Sequence, residues 1–144
     1  MSTNGLRVAP MAETNSVVWL RRFLALDAAV TGVNGLAYLL ASGPVGQLLG
    51  IDGTLLLGVG VFLTLYGAGV GCLAGRSRPA VPAVQAVIAT NALWVVLSVV
   101  ALAVRLGDLH VAGAVWIPMQ AVAVGGFALL QYLALRQVRA GASR

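Results

Sequence analysis

Lysine is absent from this 144-residue sequence, and all nine basic residues are arginine. Acidic residues number four, and there is one histidine and one cysteine. Each scarcity closes off a class of chemistry. With Cys72 alone, no intramolecular disulfide and no C-x-x-C redox pair can form. With His110 alone, bis-histidine haem ligation within one chain is excluded, and no ligand cluster has metal spacing. No Ser-His-Asp set falls at a common depth, and no glycine-rich phosphate loop follows a strand. Candidate acids, bases and nucleophiles are few. The expectation is a protein that is not an enzyme and carries no cofactor or metal.

Charge is scarce too. Only 9% of residues are charged and 60% are apolar, where a soluble domain averages about 25% and 45–50%. Mean hydropathy is +0.95. This balance belongs to the membrane class. A span needs about 20 mostly apolar residues, and four stretches qualify: 23–41, 54–74, 81–104 and 111–135. They use most of the chain, so the sequence reads as a flexible tail (1–16), one transmembrane domain (17–138) and a second tail (139–144). The first span exceeds the 7–15-residue core of a signal peptide and no A-x-A site follows it, so it reads as a retained anchor.

The pI near 10.7 invites a nucleic-acid reading, but the arginines flank spans and do not cover a soluble face. Arg7, Arg21 and Arg22 precede span one, Arg76 and Arg78 lie between spans two and three, and Arg136, Arg139 and Arg144 follow span four. Arg105 alone falls on the other side, next to Asp108. The positive-inside rule then places both termini in the cytoplasm. The connections GRSRPAVP and RLGDLH are short, which makes sequential helices antiparallel neighbours. The expected fold is an all-α, up-down-up-down bundle of four transmembrane helices. Arginine at every basic position, with abundant Ala, Val, Gly and Leu, points to a GC-rich genome and a bacterial inner membrane.

Polar residues inside the spans are the candidate functional groups. In span one, Asp27, Thr31, Asn34 and Tyr38 recur at helical spacing and share one face, which must look onto protein or a hydrated cavity. Asp27 lies five residues past Arg22, about 7 Å deeper. It is expected to form a near-interface ion pair with Arg22 or with Arg78, the competing reading being a proton- or cation-coupling carboxylate. Asn34 and Asn91 each lie about ten residues from the arginine-flanked start of parallel spans. They are expected at one depth, hydrogen-bonded across the bundle. The sharper reading is a ligand site between helices, lined by Asn34, Asn91, Trp94, Ser98 and Gln120. Span four carries a stripe of Trp116, Gln120, Val124, Phe127 and Gln131. Pro118 bends this helix only if the helix begins as early as Val111.

Span two reads LYGAGVGCLAG. Gly67, Gly71 and Gly75 form small-xxx-small steps, with Gly60 on the same side, so another backbone can approach closely. The neighbour is either a helix of the same chain or a second protomer. Cys72 reads as a small packing residue. Ser16 is a candidate helix N-cap, and Pro44 suits the first turn of a brief helix after span one.

The segments DAAVTGVNGLAYLLASGP, LLGIDGTLLLGVGVFLTLYGA and TNALWVVLS resemble a family of small bacterial four-span integral membrane proteins of unknown function. The likeness runs over about residues 20–138 and is most recognisable at Asn91-Ala92-Leu93-Trp94-Val95. It implies the four-span fold and no activity, substrate or cofactor. The expected function is that of a small non-enzymatic membrane protein acting through helix–helix association. Its partners would be the lipid bilayer and either a second copy or a larger membrane complex. The alternative is a small-solute or ion/proton transporter with its polar core between spans one and three.

Overall fold

In lipid, backbone N–H and C=O groups find partners only within the chain, so long apolar segments become helices. The computed structural model describes the chain from Gly5 to Ser143, with side chains from Met11 onward. Four helices form: α1 (Gly5–Leu49), α2 (Gly53–Gly75), α3 (Val81–Arg105) and α4 (Val111–Ala142). Each is long and apolar enough to cross a membrane. The fold is that of an all-α, multi-pass membrane protein, and the four expected spans lie inside these helices.

Two of the helices run beyond their expected spans. Residues 5–16, expected as a flexible tail, are the first turns of α1, and α4 continues to Ala142. Residues 1–4 and 144 of the expected tails lie outside the described residues. The physical reason is mutual packing of the two extensions. The Glu13 side chain lies over Gly141, and the Ser16 hydroxyl reaches Gln137 Oε1 at 3.5 Å. Ser16 is therefore not an N-cap. It sits within α1 and donates to the Ala12 carbonyl at 3.0 Å.

At its other end α1 breaks at Ala41 (φ −137°, ψ 33°). Pro44 then falls in the first turn of the short segment that follows, where its missing N–H costs no helical bond. That segment closes on Gly50 at φ +75°, the left-handed position that glycine adopts without strain. Ile51 N–H donates to Gly46 O at 2.9 Å, completing a Schellman closure. Asp52 Oδ1 accepts from Leu55 N–H at 3.0 Å and caps α2. His110 N–H donates to Leu49 O at 3.2 Å, tying this turn to the start of α4.

The packing order is α2–α1–α4–α3, and α2 barely meets α3. Contacts descend α1 as they climb α2. A Cβ at Gly67 would stand 3.0 Å from Gly32 N, and one at Gly60 would stand 2.9 Å from Leu39 N. The neighbour that these glycines admit is thus α1 of the same chain, which occupies that part of the groove. Gly71 is in loose contact with Ala28, and a Cβ at Gly75 meets nothing. Arg21 Nε donates to Ala74 O at 2.9 Å, placing a cation on the C-terminal carbonyls of α2. One apolar cluster (Leu20, Leu24, Val70, Val84, Val87, Leu135) fills the arginine-rich half of the bundle. A smaller one (Tyr38, Leu56, Leu63) fills the other half. Leu40, Leu65, Val104 and Val122 are exposed, as a lipid-facing surface requires.

Close approach along the α1–α2 seam is testable. Gly67→Val forces a side chain against the Gly32 backbone and is expected to destabilise the bundle by about 1–3 kcal/mol. Gly69→Ala, where a Cβ meets open space, is expected to be neutral or slightly stabilising. Reversible unfolding in SDS mixed micelles measures both, and equal effects would contradict the seam.

Candidate functional site

Between the two apolar clusters lies a layer of polar side chains drawn from all four helices. Asp27 is 0% exposed and stands at its centre. Asn91 Nδ2 of α3 and Gln131 Nε2 of α4 both donate to Asp27 Oδ2 at 2.7 Å. Thr31, one turn along α1, donates to Oδ1 at 3.1 Å. Asn91 Nδ2 also reaches Gln131 Oε1 at 3.3 Å. The Tyr66 hydroxyl of α2 bonds both Asn91 Oδ1 (3.0 Å) and the Val87 carbonyl (3.2 Å). The carboxyl orients both amides, because only their N–H ends can face it. Among the described residues no buried side-chain N or O lacks a partner.

The expected ion pair at Asp27 does not form. Arg22 is exposed and lies 5.1 Å from the Trp19 ring centroid, while Arg78 faces Glu13 at 3.9 Å. Helix geometry explains why: five residues of rotation set Arg22 and Asp27 about 140° apart around α1. Asp27 therefore points inward where Arg22 points out.

The expected Asn34–Asn91 bond does not form either. Asn91 is level with Asp27, and Asn34 lies seven residues further along α1, about 10 Å away along the axis. Counting from the start of the apolar run misjudged the depth, because α1 begins well before its apolar segment. Asn34 is half-buried and makes no side-chain hydrogen bond among the described residues.

The remaining expected site residues fall into a second group, nearer the other end of the bundle. Tyr38 Oη accepts from Trp116 Nε1 at 2.7 Å and from Gln120 Nε2 at 2.9 Å. These groups, with Trp94 and Ser98, line a cavity of about 210 Å³. Trp94 also stacks on Phe62 with centroids 6.3 Å apart, and Phe62 stacks on Tyr66 at 5.8 Å. These rings bridge α2 and α3 where the backbones do not meet. Pro118 is inside α4, which does begin at Val111. Cys72, expected as a packing residue, is exposed.

One expected polar core is thus two clusters. Sequence reasoning placed Asp27, Thr31 and Asn91 in a core but left out Tyr66 and Gln131. Gln131 carried a signal, eleven residues from Gln120 on the same stripe. Tyr66 carried none, since one tyrosine in an apolar run also suits a lipid-facing or interfacial position.

The arrangement chiefly fixes helices. The space beside it, among Thr31, Tyr66, Asn91 and Trp94, is about 20 Å³, room for about one water. Among the described residues no three His, Cys, Asp or Glu side chains gather as metal ligands. Asp27→Ala removes the acceptor of two buried amides and is expected to cost about 2 kcal/mol. Asp27→Asn keeps one acceptor oxygen and is expected to cost less. SDS-titrated unfolding followed by circular dichroism reads both, and a wild-type midpoint for Asp27→Ala would contradict the assignment.

Comparisons of the chain with protein-family models, with curated proteins and with solved structures find no match.

Proposed function

We propose that this chain is a small, non-enzymatic integral protein of the bacterial inner membrane that works through helix–helix association, as an oligomer or as an accessory subunit. Its four helices run up-down-up-down with both termini in the cytoplasm. The distribution of arginine supports that orientation, since among the arginines of the described residues Arg105 alone lies at the far end. The resemblance to small bacterial four-span proteins agrees with it.

The observation that carries this reading is the incomplete closure of the bundle. In its arginine-rich half, α2 and α3 stand apart and leave a groove of about 560 Å³. Gly69, Cys72, Ala80, Ala83 and Ala86 line it, together with larger residues that include Tyr66, Leu73 and Arg76. Small residues let a further helix approach closely where lipid supplies no hydrophobic drive for association. The Tyr66 hydroxyl on its wall already bonds Asn91 Oδ1 and the Val87 carbonyl, so a helix docked there leaves that hydroxyl satisfied.

A second reading, a small-solute or ion/proton transporter, draws on one observation: Asp27 has neutral partners only. Intramembrane carboxyls of this kind often mark transport paths. The narrow space beside it favours the first reading.

Native mass spectrometry after extraction in mild detergent tests the proposal. The expected particle holds more polypeptide than one 14.7 kDa copy. Ala83→Leu, which fills the groove, is expected to weaken association about tenfold or more through overpacking, with helix content unchanged. A monomer in both cases would overturn the reading.

A further inference from the structure

One concavity among the described residues has no part in the polar layer. It is a groove of about 600 Å³ between the start of α3 and the end of α4, within the size range of small-molecule sites. Its wall is apolar: Ile88, Ala89 and Ala92 from α3 face Leu135 of α4. The alanines make it concave. Its rim is basic: Arg136 and Arg139 stand one turn apart on α4, with Gln85 and Ser143 beside them. Both arginines are exposed. Among the described residues neither has a carboxylate partner, since the two ion pairs there join Arg78 to Glu13 and Arg105 to Asp108.

Depth orders these parts. Arg136 and Arg139 occupy the last turns of α4, at the end of the bundle where Arg21 meets the terminal carbonyls of α2. Ala92 lies eleven residues into α3, about 16 Å from its start. The groove therefore runs from a positive rim at the membrane surface to an apolar wall at hydrocarbon depth, and it opens sideways to lipid. A free anion would use the rim and leave the wall empty. A neutral lipid would use the wall and leave both guanidinium groups without an anion. An anionic lipid matches both parts.

We propose that this groove binds one anionic glycerophospholipid, its phosphate held by Arg136 and Arg139 and one acyl chain laid along Ile88, Ala89 and Ala92. Each guanidinium presents a planar fork of donors matched to phosphate oxygens.

Lipid retention by the full-length protein in detergent, read by native mass spectrometry, tests this. Phosphatidylglycerol and phosphatidylcholine with identical chains are the probes. The wild type is expected to retain phosphatidylglycerol in preference. R136Q/R139Q is expected to reduce that preference about 30-fold, from about 1 kcal/mol for each arginine. R76Q/R78Q, at the same end of the bundle, is expected to keep it. A92F fills the wall and is expected to cut phosphatidylglycerol retention several-fold with both arginines in place. Equal retention of the two lipids by the wild type would overturn the proposal, as would an undiminished preference in R136Q/R139Q. Equal loss in R76Q/R78Q would reduce the effect to general surface charge and also overturn it. So would displacement of the lipid by an equal concentration of inorganic phosphate, which would mark a free-anion site.

Discussion

A carboxyl group buried at 0% exposure must find donors inside the protein, and the architecture of this bundle follows from how Asp27 finds them. Lipid gives no hydrophobic reward for bringing helices together. Association then depends on close packing and on polar groups that have no other partner. Asp27 takes one donor from its own helix, one from α3 and one from α4. Asn91 passes the connection to Tyr66 of α2. A single side chain thereby fixes the relative rotation of four helices.

The two ways of joining helices are divided between the two halves of the chain. α1 and α2 meet backbone to backbone along Gly32, Gly35, Gly60 and Gly67, where dispersion is strong and no polar link is needed. α3 has no such seam with α2, and the polar layer and the Phe62–Trp94 stack hold the two together. This asymmetry explains why grooves open on either side of α3. One lies toward α2 with small residues, and the other lies toward α4 with a basic rim. The two grooves thus follow from where the bundle lacks close-packed seams.

The four helices were legible because length and apolarity suffice to define a span. The grouping of polar residues was only partly legible. Spacing showed that Asp27, Thr31 and Tyr38 share a face, but a period of 3.6 carries no information about depth relative to another helix. Asn34 and Asn91 were matched by counting along apolar runs, whereas the register of α1 against α3 places Asn91 opposite Asp27. The same limit hid Tyr66 and Gln131, whose roles depend on which helix stands opposite. The helical ends at 5–16 and 139–142 read as tails because each is apolar on no obvious face. They are ordered by each other, through Glu13 on Gly141.

The central claim is that Asp27 and the amides opposite it act as one unit. A double-mutant cycle of Asp27→Ala and Gln131→Ala in SDS-titrated unfolding measures this directly. If the two are coupled, the double variant is less destabilised than the sum of the singles by about 1 kcal/mol, because removing Gln131 costs little once its acceptor is gone. Additivity within about 0.3 kcal/mol would contradict the account.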